Sequence, residues 1–276
     1  MSTPLSQALA TLRRRHGDAV IGSGDTLSGV EAWPTGLPVL DRRLTPGGLP
    51  AGRVSLLVAA PGASGRLTLL QALTAIASRE RVTVYLDLVG SLDPGFLADL
   101  GADLTSLLVV QPPSGRWGEG LSMARSLVAA GAPWLAVALP VAELGERSGS
   151  GPAGGSRLRS GSGWEHRLST LAESVAARRA VCVVSAALPL PPALGHAASL
   201  TLECAADGWE EAHGDVLGLR TRLTVVKSKV SAPGETVSLL LRYPRPFAAA
   251  EAVGRPAVVD VTVTAEASEA PMEVAG

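Results

Sequence analysis

The sequence predicts an α/β fold: a mostly parallel central sheet covered by helices, with antiparallel strands near the C-terminal end. Three observations predict it. Apolar runs of strand length recur along the chain and are separated by segments with helical spacing, the pattern of a parallel sheet buried on both faces. One of these runs, Val54 to Ala59, passes through a small-residue turn into a helix-spaced segment. Toward the C-terminal end, three segments alternate like antiparallel strands.

Taken in order, Leu5 to Arg15 carries apolar residues at Leu5, Ala8, Leu9 and Leu12, which predicts a short amphipathic helix. Arg13, Arg14, Arg15 and His16 stand near its C-terminal end, where cations suit the helix macrodipole or meet an acidic or phosphate partner. Gly17 stops the helix, Ala19 to Ile21 reads as a short strand, and Gly22 to Gly24 as a flexible joint, so residues 1–22 form an arm. A core spans 23–247, with strands at Val54 to Ala59, Val82 to Leu88, Leu107 to Val110, Trp134 to Leu139 and Ala180 to Ala186. Helices fall at Phe96 to Leu100, Leu121 to Ala130 and Leu168 to Ala177. Ser148 to Gly163, rich in glycine and serine, reads as a mobile loop. A short proline-rich link is expected around Leu188 to Leu194, and alternating strands at Leu200 to Cys204, Arg220 to Lys227 and Val237 to Tyr243. Residues 248–276 are acidic and poor in aromatics, which predicts a weakly ordered tail.

The turn after Val54 to Ala59 carries the chemistry. Strand, glycine-rich turn and helix is the setting of a phosphate-binding P-loop, in which backbone N–H groups cradle phosphates, a Lys reaches them and a Ser or Thr hydroxyl holds magnesium. Ala60 stands at the first Gly, Arg66 at the Lys and Leu67 at the hydroxyl. A Leu cannot ligate magnesium, and Arg is not a geometric substitute for Lys in a tight loop. Gly62, Ser64, Gly65, Arg66 and Thr68 are the candidate nucleotide contacts of a degenerate site.

Composition sets bounds. The 276 residues suit one large domain or one domain with appendages, and 46% apolar residues suffice for a core. A net charge of -1 gives no bulk attraction to nucleic acid. Cys182 and Cys204 have no metal or CxxC spacing and are read as buried free thiols. His166, His196 and His213 lie far apart, and no metal site is expected. Trp117, Trp134, Trp164 and Trp209 are scattered; packing is the expectation for Trp164, with base stacking as the alternative. Neither a secretory signal nor a membrane span is read, so a cytoplasmic protein is expected.

Four segments resemble the RecA recombinase family in content and position: QALATLRRRHGDAVI from Gln7, TGLPVLDRRLTPGGLPAGRV from Thr35, YLDLVGSLDP from Tyr85 and TRLTVVKSKVSAPGE from Thr221. The resemblance runs from about Leu5 to Phe247 and implies a RecA-like P-loop core, without a counterpart to the large C-terminal domain of RecA. The departures matter as much. Where the family has a Glu that activates water, Val89 stands; Ala138 matches the acidic end of the Walker B strand, and Ala186 the Gln that relays the nucleotide state to DNA. Asp93 and Phe96 match positions near the adenine, which leaves weak ATP or ADP binding open; a helix start and a core aromatic are the plainer readings. Lys227 and Lys229 match a Lys-x-Lys pair that reaches the nucleotide of a neighbouring subunit, which implies an interface with RecA or with a second copy. Arg157 and Arg159 sit where the family has its first DNA loop and imply weak binding to single strands.

A RecA-like chain with a degenerate ATPase site resembles the ImuA family of damage-inducible mutagenesis factors. That resemblance implies a non-catalytic accessory role in SOS-induced translesion synthesis, with no required cofactor. The implied partners are a Y-family polymerase homologue of the ImuB kind, an error-prone replicative-type DNA polymerase and RecA, with association with the nucleoid on damage. Two alternatives stay open: a divergent nucleotide-dependent recombination mediator and a SulA-like inhibitor of cell division.

Overall fold

The computed structural model describes residues 30–140, 163–213 and 215–242, together with Thr11, which is helical. The remainder of the expected arm, the loop carrying Arg157 and Arg159, and the acidic tail lie outside the described residues.

A short hairpin opens the described core, β1 (Ala32–Trp33) pairing antiparallel with β2 (Leu49–Pro50) around α1 (Pro38–Asp41). Then follow β3 (Arg53–Ala59), α2 (Arg66–Ser78), β4 (Thr83–Asp87), α3 (Pro94–Asp99), β5 (Leu107–Val110), α4 (Trp117–Ala129) and β6 (Trp134–Ala138). The chain continues through α5 (Gly163–Arg178), β7 (Val181–Ala187), α6 (Pro192–Ala197), β8 (Ala198–Ala212), β9 (Asp215–Ser228) and β10 (Thr236–Arg242). Among the described residues, eight strands form one sheet in the order β10-β9-β8-β3-β7-β6-β4-β5. From β8 to β5 all neighbours run parallel; β8, β9 and β10 pair antiparallel.

Burial on both faces explains why the central strands read as unbroken apolar runs. Along β3, Leu57 and Ala59 join a core with α2, whereas Val54, Leu56 and Val58 join a second core under α4 and α5. The first core also takes Leu200, Leu202, Leu223, Val225 and Leu239 from the antiparallel end, which ties that end to the parallel sheet. Three expectations need correction. The strand expected at Leu200 to Cys204 runs on to Ala212, because β9 pairs with it along its length. It is also parallel to β3 on its other side, so it is antiparallel to one neighbour only. The proline-rich link holds a short helix, α6, whose first residue Pro192 needs no N–H donor there.

Cys182 and Cys204 are free and buried, and burial pushes both thiols up to about 12. Only the thiolate attacks a disulfide reagent. Under native conditions near neutral pH, Ellman's reagent is expected to release no thiolate on the timescale of an hour, and both thiols are expected to react once guanidinium unfolds the chain.

Candidate functional site

The P-loop-like turn joins β3 to α2 at the carboxyl edge of the sheet. Ala60 to Ala63 are exposed and Ser64 is buried. Gly65 caps α2 in the left-handed region, φ 75°, with no side-chain cap. A Cβ on Gly65 would lie 2.4 Å from Thr221 Oγ1 and 2.7 Å from Leu241 Cδ1. The turn is thus seated against β9 and β10, and only glycine fits both the dihedral and the space.

Arg66 does not reach toward the exposed turn. Its side chain is 8% exposed, lies over the sheet and donates from a terminal guanidinium nitrogen to Ser185 Oγ on β7 at 2.6 Å. Burial draws its pKa down, with partial offset from Cys204 and Tyr85 nearby. Small neighbours make the route possible: Ala138 pairs in register with Ser185 on one side and with Asp87 on the other. Leu67 packs against the apolar core, and Thr68 is half-buried one residue further round the helix, about 100° away.

Farther along this row stands Asp87, at the end of β4 and 3% exposed. Its Oδ1 accepts the backbone N–H groups of Val89, Gly90 and Ser91, and its Oδ2 those of Leu92 and the Gln111 amide. Burial alone would raise its pKa, but these donors outweigh it and hold the carboxyl below its usual range. Beneath it, burial drives the Tyr85 phenol well above its usual range; its hydroxyl lies near that of Ser91 without closing a hydrogen bond of normal geometry. Asp87 had no role in the sequence reading, although an Asp closing a strand three residues before a glycine is a legible Asx-turn signal. Beyond β4, β5 and β6 opens a groove of about 290 Å³ walled by Val89, Gln111, Pro112, Trp117 and Pro140.

The remaining candidates are dispersed. Asp93 caps α3, accepting from the N–H groups of Gly95 and Phe96, and Phe96 packs with Leu97 and Leu100. Lys227 Nζ donates to Gly195 O at 2.6 Å and Lys229 Nζ to His196 O at 3.4 Å, so both lysines meet the carbonyls that end α6. Desolvation, with the charge of Lys229, draws the pKa of Lys227 down. Among the described residues no group of three or more His, Cys, Asp or Glu side chains could hold a metal, and no helix is long and apolar enough to cross a membrane.

Sheet order, strand-turn-helix geometry and the antiparallel end define a P-loop-type α/β core of the RecA-like class. The family model of the RecA N-terminal domain matches residues 3–156, more than half of the chain, and the chain belongs to that family. It is 30% identical over 258 residues to Protein RecA of Lactobacillus acidophilus, covering 87% of this chain and 70% of that one. Protein RecA of Thioalkalivibrio sulfidiphilus is 32% identical over 259 residues, covering 87% and 75% respectively. Protein RecA of Agrobacterium fabrum is 30% identical over 267 residues, covering 88% and 71%.

Proposed function

We propose that this RecA-family chain is a non-catalytic accessory protein of the ImuA kind. It links a Y-family polymerase homologue and an error-prone replicative-type polymerase to RecA or single-stranded DNA during damage-induced translesion synthesis. The observation that carries the reading is Arg66, the P-loop cation, buried and spent on Ser185. The residues present fit a magnesium nucleotide poorly. Leu67 offers no oxygen where a metal-binding hydroxyl belongs, Ala138 is fully buried without a carboxylate, and Val89 lines the groove in place of an acid. Phosphoryl transfer depends on charge positioned on the transferring group, and among the described residues no such set converges on this turn.

The expected result is no ATP turnover above background, with or without single-stranded DNA, beside a RecA control. Restoring Arg66→Lys with Leu67→Thr is expected not to revive it, since Val89 and Ala138 remain. DNA-stimulated turnover comparable to RecA would replace this reading with that of a recombination mediator. Mass analysis of the chain alone, with RecA and with the Y-family homologue tests the partner assignment.

Lys227 and Lys229 supply a separate test. If they contact the nucleotide of a RecA neighbour, they must leave the α6 carbonyls to do so. The double change Lys227→Ala, Lys229→Ala is then expected to weaken RecA binding in ATP and leave binding without nucleotide unchanged. Equal binding in all four conditions would confine the lysines to capping α6.

A further inference from the structure

The groove past the carboxyl ends of β4, β5 and β6 lies where neighbouring strands send their connections to opposite faces. β4 leads into α3, whose Leu97 and Leu100 pack on Ala72 and Ala75 of α2. β6 lies beside β4, and the helix after it, α5, packs with α4 in the other core. Connections that part in this way leave a crevice at the strand ends, the usual ligand position in an open α/β sheet. Here it has a volume of about 290 Å³, and no residue of the P-loop turn lines it.

Its lining offers acceptors and no cation. Gln111 is exposed, and its Nε2 donates to Asp87 Oδ2 at 3.2 Å. An ionised carboxylate only accepts, so the amide nitrogen has to face Asp87 and Oε1 is turned away from it. Among the described residues Oε1 accepts no hydrogen bond. It is held in place by the bond that its own amide nitrogen makes. The Asp87 charge stands behind the amide, in no ion pair among the described residues, and no Lys or Arg lines the groove. The backbone N–H groups that satisfy Asp87 carry dipoles and no net charge, so the negative charge remains. Val89, Pro112, Pro113 and Pro140 supply apolar walls. A planar cation with N–H donors around its edge fits such a slot. The arginine guanidinium is that group: weakly hydrated, flat against apolar surface and bonding at its rim. A lysine ammonium is more strongly hydrated, and a phosphate meets like charge.

We propose that this groove takes an arginine side chain presented by a partner protein, its guanidinium donating to Gln111 Oε1 beside the Asp87 charge. The site is separate from the P-loop turn and does not depend on whether that turn hydrolyses ATP. The probe is acetyl-arginine amide, titrated into the isotope-labelled full chain and followed by NMR. Acetyl-citrulline amide, the same shape without the charge, is the control. Saturable shifts are expected at the Gln111 side-chain amide and at the Val89 and Gly90 N–H signals, with a Kd of about millimolar order for so small a ligand. The citrulline compound is expected to bind at least about tenfold more weakly. Val89→Lys puts a cation into the groove from an exposed position; it is expected to abolish the shifts and keep the native melting curve. Gln111→Met is expected to weaken binding about tenfold, read at Val89 and Gly90. Absent shifts, equal affinity for the citrulline compound, or affinity unchanged in both variants would each overturn the proposal. Tighter binding of free arginine than of its capped form would overturn it in favour of an amino-acid site. Shifts of the same signals by oligo-dT, lost in Gln111→Met, would overturn it in favour of a nucleobase pocket.

Discussion

Asp87→Ala is expected to destabilise the protein by about 3 kcal/mol, the scale of one or two bonds to a charged acceptor at roughly 1.5–3 kcal/mol each, because water recovers most of the loss at the other donors. Four backbone N–H groups from Val89 to Leu92 and the Gln111 amide converge on this one carboxylate. Val89 is 38% exposed, so water can replace some of these partners once the carboxylate is gone. For a chain of this size each kcal/mol moves Tm by about 2–4 °C, which puts the expected fall near 10 °C. The pH dependence has a definite sign. The folded carboxyl lies below its unfolded value, so its contribution is fully present above the unfolded pKa and is lost as pH falls through the folded one. Chemical denaturation of wild type and Asp87→Asn from neutral to strongly acidic pH is expected to converge only at the acidic end. Parallel curves throughout would mean that Asp87 titrates alike in both states.

Trp134→Ala is expected to cost about 4 kcal/mol, the middle of the range for emptying a buried aromatic site. Trp134 opens β6, is 2% exposed and is among the largest fully buried side chains. Among the described residues its indole N–H has no hydrogen-bond partner. Trp134→Phe therefore sheds some packing area but also removes an orphaned donor that costs about 1–3 kcal/mol, and it is expected to stay within about 1 kcal/mol of wild type. Thermal melts of both variants decide the matter. A phenylalanine variant as unstable as the alanine one would assign the indole N–H a partner that holds it in place.

WLAVA was legible because burial on both faces leaves an unbroken apolar run; LLVV was legible from its β-branched and apolar residues alone, although it forms the sheet edge with Leu108 and Val109 exposed. The outer half of β8, AADGWEEA, has neither alternation nor strong β propensity, and its conformation comes from pairing with β9. α6 was hidden for a similar reason: PPALGHA is read locally as a link, but the buried Leu194 and the two lysines on its last carbonyls hold it as a helix. At the turn, the replacements Ala60, Arg66 and Leu67 were plain in the sequence. The destination of the Arg66 side chain was not, since it depends on Ser185, 119 residues away, and on Ala138 leaving room.

The inward guanidinium sets what single changes at this turn would cost. Arg66→Lys alone would exchange the fork that reaches Ser185 for a strongly hydrated ammonium in the same dry site, losing stability before any phosphate contact is gained. An aspartate restored at Ala138 alone would enter the row that holds Ser185 and meet the guanidinium, its charge neutralised before a metal could use it. On either route the single change meets the buried guanidinium site, and the hold that Ser185 has on it, before it meets a phosphate or a metal.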